Sequence, residues 1–207
     1  MNYKNIINSG GVQEQEHFAQ QPFYDFLIKN FLKDGMRVVE IGVCTGKSIT
    51  YLSEQLIKNK IKIDLYGIDH FLGSAEHRDI IFKKEIENDT DYLYHLCIDN
   101  LKKCNVYDYI SILKIDSING SLKFNNNFFD VIIIDADHSY EGVKKDIDAW
   151  LPKLKSGGIL AGDDYSPNGW PGVVKAVNEK FGSNVNIYKT ENMNPIFLPP
   201  SLWYVNN

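Results

Sequence analysis

The sequence predicts an α/β fold: a doubly wound, seven-stranded, mostly parallel sheet closed by a C-terminal antiparallel hairpin. Three observations predict it. Short apolar runs recur at 38–41, 63–68, 110–115 and 131–134, and helical stripes of apolar residues separate them. The run at 131–134 is unbroken and β-branched, the pattern of a strand buried on both faces, as parallel strands are. The last two apolar runs, 185–188 and 202–205, have no helical stripe between them, so they should pair as a hairpin at the sheet edge.

Residues 1–21 are polar and include Gly10 and Gly11, which reads as a loose arm; the QEQEH run at 13–17 is either the lining of an entrance or a solvated face. Phe23, Phe26, Leu27 and Phe31 form one stripe of a helix opened by Pro22 and closed at Asp34 and Gly35. Arm and helix, 1–35, should pack on a single domain spanning 36–207.

The strand at 38–41 runs into Gly42-Val43-Cys44-Thr45-Gly46-Lys47-Ser48, followed by a helix with Ile49, Leu52 and Leu56 inward. A strand, a glycine turn and a helix N-terminus together make a nucleotide cradle, because glycine lets backbone approach the ligand. The spacing is neither a full dinucleotide fingerprint, whose middle glycine is replaced by Cys44, nor a phosphate loop, whose first glycine position is Ile41. The strand at 63–68 ends in Asp69, 23 residues beyond Gly46 and placed to accept hydrogen bonds from ribose hydroxyls; turn capping is the alternative. His70, Phe71, Gly73 and His77 follow in a loop over the same edge. Thr90 is expected to cap a helix that turns Leu93, Leu96, Cys97 and Leu101 inward and leaves His95 on its surface. The strand at 110–115 ends at Asp116 and Ser117, polar groups within reach of an adenine ring.

The stretch 129–165 reads as strand, helix, strand. The helix carries Val143, Ile147, Trp150, Leu151 and Leu154 on one stripe, Pro152 ends its regular part, and Gly157-Gly158 supplies the stop before a strand at 158–161. Parallel neighbours bridged this way lie about 4.8 Å apart with both carboxyl ends on one edge. That edge then holds Asp135, Asp137 and His138 from one strand and Asp163 and Asp164 from the other. Four crowded carboxylates bind a cation, raise their pKa values or splay into water. A helix at 172–181, with Val173, Val174, Ala176 and Val177 apolar, completes the series.

A chain of 207 residues fits one domain with a real core. A net charge of −5 argues against a nucleic-acid partner, which would need a basic face. No apolar run reaches the roughly 18 residues of a membrane span, and no signal-peptide core is present, so no membrane partner is expected. Cys44, Cys97 and Cys104 lack metal-ligand spacing and read as reduced thiols, which suits a cytoplasmic setting. Nothing in the chain speaks for or against a homo-oligomer.

The motifs VVEIGVCTGKS, LYGIDHF, FDVIIIDADHSYEGV and LKSGGILAGDDY resemble those of class I S-adenosylmethionine-dependent methyltransferases with a Rossmann-like sheet, over about 37–181. The resemblance is closest to small bacterial members of the family-24 type, which are related to metal-dependent catechol-type and sugar O-methyltransferases. It implies that Glu40, Gly42 and Gly46 hold the methionine part of the cofactor, that Asp69 binds its ribose, and that Ser117 lies near its adenine. It also implies a Mg²⁺-like ion held by Asp135, Asp163 and Asp164, with Asp135 beside the cofactor as well, and either Asp137 or His138 as general base. The implied reaction is O-methylation of a small hydroxylated acceptor, a sugar or a phenol-like molecule. Alternatives are metal-independent methyl transfer, a non-catalytic cofactor-binding protein, and a nicotinamide-dependent oxidoreductase, the last disfavoured by the incomplete glycine fingerprint. A relative with a hydroxylation role means that the fold alone does not fix the reaction.

Overall fold

The computed structural model describes residues 1–6, 21–73, 82–189 and 201–207. The 13–17 run and His77 lie outside these residues. Seven strands form one sheet: β1 (Arg37–Ile41), β2 (Asp64–Asp69), β3 (Ile110–Lys114), β4 (Phe129–Ile134), β5 (Leu154–Gly162), β6 (Asn186–Lys189) and β7 (Ser201–Asn206). Their order is β3-β2-β1-β4-β5-β7-β6. The first five are parallel to their neighbours, and β7 is antiparallel to both β5 and β6. The hairpin is therefore present, and its second strand, β7, is the one that docks on β5.

Alternation along each strand sorts the core into two layers. Val38, Leu65, Val131, Ile133 and Ile159 face α1 (Gln21–Asn30), α2 (Lys47–Asn59) and α4 (Tyr92–Lys103); α3 (Lys83–Asn88) precedes α4. Val39, Ile41, Ile68, Ile132, Ile134 and Leu160 face the other way, onto α6 (Tyr140–Trp150) and α7 (Pro171–Phe181), with α5 (Ser117–Ser121) after β3. Both faces of the parallel strands are covered, which is what their unbroken apolar runs require. The helix α1 belongs to this core: Phe23 packs 5.7 Å from Tyr188 and 5.8 Å from Tyr204, ring centre to ring centre.

Two boundaries differ from the sequence reading. The helix α6 ends at Trp150, and Pro152 sits in a single tight turn, Leu151–Lys153, so Leu154 opens β5 and does not lie on the helix. The glycine pair lies inside β5 as an irregularity of register: Phe129 pairs with Leu154 but Val131 with Ile159. Gly157 takes φ +78° there, in open space. Thr90 does not cap α4, whose N-cap is Asp91, because Asp89 accepts the Asp91 N–H at 2.9 Å and turns the chain one residue later.

Candidate functional site

The loops that follow the parallel strands begin with backbone hydrogen bonds to the next strand over. The Ile115 N–H donates to the Asp69 carbonyl, Gly42 to Ile68, Asp135 to Ile41 and Asp163 to Ile134, at 2.8 to 3.2 Å. The sheet thus fixes where each loop leaves. Gly42 is confined further, because a Cβ at its φ of +94° would stand 1.8 Å from the Asp135 carbonyl oxygen. The loops after β1 and β4 touch there, backbone to backbone. Three non-glycine residues just past strand ends are also left-handed: Cys44 (φ +48°), Phe71 (φ +58°) and Asp164 (φ +58°). Such conformations persist only where the surroundings enforce them, and they gather at functional edges.

Asp69 does part of that enforcing. One carboxylate oxygen accepts the Cys44 N–H at 2.7 Å, and the other accepts the Phe71 N–H at 2.6 Å. It holds both left-handed turns and still faces a cleft of 590 Å³ along the carboxyl edge. Of the residues expected at the site, Gly42, Asp69, Ser117, Asp135, Asp137 and His138 line that cleft. Glu40 and Gly46 lie behind its wall. Glu40 is fully buried, accepts Tyr24 Oη at 2.8 Å and Ser48 Oγ at 2.5 Å, and is pushed by burial to a pKa of about 8. Gly46 is the N-cap of α2.

A second focus lies where β4 and β5 end. His138 Nε2 stands 3.1 Å from Asp164 Oδ2 and 3.4 Å from Asp135 Oδ1. One ligand atom each from Asp135, His138 and Asp164 fall within 4.8 Å of one another. Asp163 is the most buried acid here; burial, reinforced by the charges of Asp135 and Asp164, lifts its carboxyl well above the carboxylate range. The convergent donors are therefore Asp135, His138 and Asp164, with Asp163 as a buried neighbour. The His138 ring lies 4.6 Å from that of Trp170, which lines the same cleft. Asp137 Oδ1 accepts the Ser139 N–H at 2.8 Å beside the N-cap of α6, and Gly142 leaves room for its carboxylate.

Sequence reasoning missed the helix side of the cleft. Gly142, Lys145 and Asp146 line it at helical spacing, and Asp146 is buried. The signal was available: Asp146 lies directly beside the apolar stripe, where a solvated aspartate does not belong.

A family profile described as a methyltransferase domain matches residues 39–165, more than half of the chain. The chain belongs to the methyltransferase domain family. Uncharacterized protein R132 of Acanthamoeba polyphaga mimivirus is 30% identical over 154 residues, which cover 74% of this chain and 62% of that protein. This methyltransferase domain therefore spans less than two thirds of that relative's length. Among solved structures, an rRNA methylase from Streptococcus thermophilus superposes with a TM-score of 0.61 at 15% identity, covering 93% of this chain and 98% of that one. A candidate methyltransferase from Streptococcus mutans in complex with SAH gives 0.61 at 14% identity, covering 93% and 99%. At these identities the likeness is one of fold. Among the described residues, no helix of the methyltransferase domain is long and apolar enough to cross a membrane.

The cleft suits S-adenosylmethionine, the cofactor of this family. It joins a glycine turn at its closest backbone approach, Gly42, to a strand-end acid, Asp69, and to apolar walls from Ile41, Ile68 and Leu93. The second focus offers two carboxylates and one imidazole, a mixed donor set that suits Mn²⁺ or a similar transition ion better than Mg²⁺.

Proposed function

We propose that this protein methylates a hydroxyl oxygen of a small acceptor, using S-adenosylmethionine and a divalent ion at Asp135, His138 and Asp164. The observation that carries the reading is the shared edge: Asp69 and the Asp135–His138 pair line one cleft, so cofactor and acceptor would meet at the ends of β1 and β4. S-adenosylmethionine supplies a methyl group on a positively charged sulfur that leaves readily. The protein's tasks are then to align the acceptor oxygen and to remove its proton. The chemistry supplied by a divalent ion is Lewis-acid activation of the acceptor hydroxyl. Asp137 suits the base role, since it lines the cleft and one of its oxygens lies beside Gly142, clear of the Ser139 N–H. His138 points Nε2 at two carboxylates, which suits a ligand more than a base. Trp170 offers the acceptor a flat apolar wall. A net charge of −5 supports a small-molecule acceptor over a nucleic acid.

Calorimetric titration with S-adenosylmethionine is expected to show saturable binding, and no heat at millimolar ligand would overturn the reading. The ion is tested separately. Mn²⁺ should raise the melting temperature of the wild type but not of Asp164→Ala, and chelation should abolish turnover. A second reading, methyl transfer by Asp137 with no ion, is favoured by the 3.1 Å contact of His138 with Asp164, an ion pair that could hold the loops unaided. Turnover that survives exhaustive chelation would select it.

A further inference from the structure

The α6 side of the cleft carries a carboxylate that the chemistry above does not use. We propose that Asp146 is a specificity-determining residue that accepts a hydrogen bond from the exocyclic amine of the bound cofactor's purine, so that the site selects adenine over a 6-oxo purine. The proposal rests on the S-adenosylmethionine reading.

Asp146 is buried in the structure yet lines the cleft, next to Ser117 and Ile118 of the loop after β3. Its orientation is fixed. Trp150 Nε1, fully buried, donates to Ser117 Oγ at 2.9 Å, which leaves the Ser117 hydroxyl proton for Asp146 Oδ1 at 2.5 Å. Oδ2 has no hydrogen bond to any described residue, so one acceptor is held ready and unspent. The neighbouring acids are committed elsewhere. Asp116 receives the Asn119 N–H and the Asn119 side-chain amide on its two oxygens, and Asp69 receives Cys44 and Phe71. Beside Asp146 stands Ile118, 39% exposed, an apolar surface against which a flat base can lie. A purine on that surface presents its edge to the helix. An amine there donates to the carboxylate, whereas a 6-oxo group would set oxygen against oxygen with no proton between them. A buried acceptor built for an N–H donor rejects the analogue that lacks it.

The test measures binding of S-adenosylhomocysteine, S-inosylhomocysteine and the N6,N6-dimethyl analogue to the full chain by calorimetry. The wild type should prefer S-adenosylhomocysteine over each analogue by on the order of 100-fold. Asp146→Asn, whose amide can donate to a 6-oxo group, should bring the adenosyl-to-inosyl ratio close to one. A structural role for Asp146 would weaken all three ligands together and leave the ratio intact. Ser117→Ala, which frees the carboxylate to rotate, should shrink the ratio in part, and it serves if D146N does not fold. A wild-type ratio near one, or an unchanged ratio in a folded D146N, overturns the proposal while the cofactor reading stands. Failure of S-adenosylhomocysteine itself to bind overturns both.

Discussion

At the scale of single residues, the site is a set of carboxylates kept in different states by their surroundings. Glu40 is lifted from an ordinary 4.5 to about 8 by burial behind the cleft. In the folded protein it stays protonated through neutrality, while in the unfolded chain it ionises near 4.5, so unfolding between those values releases a proton. The stability that Glu40 contributes is complete below 4.5 and is lost as pH rises towards 8. Glu40→Gln should flatten that fall, which melting temperatures taken from pH 5 to pH 8 would show; a slope identical to the wild type's would refute it. Asp69 is the opposite case, a carboxylate held by two backbone N–H groups. Asp69→Ala should cost about 2–4 kcal/mol, read by urea unfolding, and should lower cofactor affinity at least about tenfold. The residue types at strand ends were legible in the sequence because carboxylates there have few structural uses. Which three of them converge was not. Two adjacent aspartates after β5 look equivalent in sequence, and only the left-handed turn at Asp164 sends one towards His138 and leaves the other buried.

At the scale of elements, strands and helices followed the apolar periodicity, and the errors fell where a breaker had two uses. Pro152 and the glycine pair were both read as helix punctuation, but one short turn ends α6, and the glycines serve an irregularity within β5. Glycines with positive φ can be sorted by what surrounds them. Gly157→Ala meets open space, so its cost is backbone strain alone, about 1–2 kcal/mol. Gly42→Ala adds a collision with rigid backbone and should cost on the order of 4 kcal/mol or more, with loss of cofactor binding. Denaturant unfolding of the two variants side by side checks the ranking, and equal losses would mean that the β1 and β4 loops part easily. The helix α6 was placed correctly by its apolar stripe, but the stripe itself drew attention from the polar face that meets the cleft.

At the scale of the whole molecule, two buried layers enclose a sheet whose carboxyl edge gathers every candidate group. Seven strands with a hairpin end were predictable, because five strand–helix alternations followed by two bare strands leave few right-handed arrangements. The insertion of β7 between β5 and β6 was not, since periodicity carries no information about which hairpin strand docks. That insertion has a consequence for synthesis. A ribosome that has released β6 has released a strand with nothing to hold: its sole partner in the sheet, β7, is still to be made. Until β7 emerges, the flank of β5 stands open beside Asp163 and Asp164, and the nascent chain carries its half-built cation site next to an unpaired sheet edge.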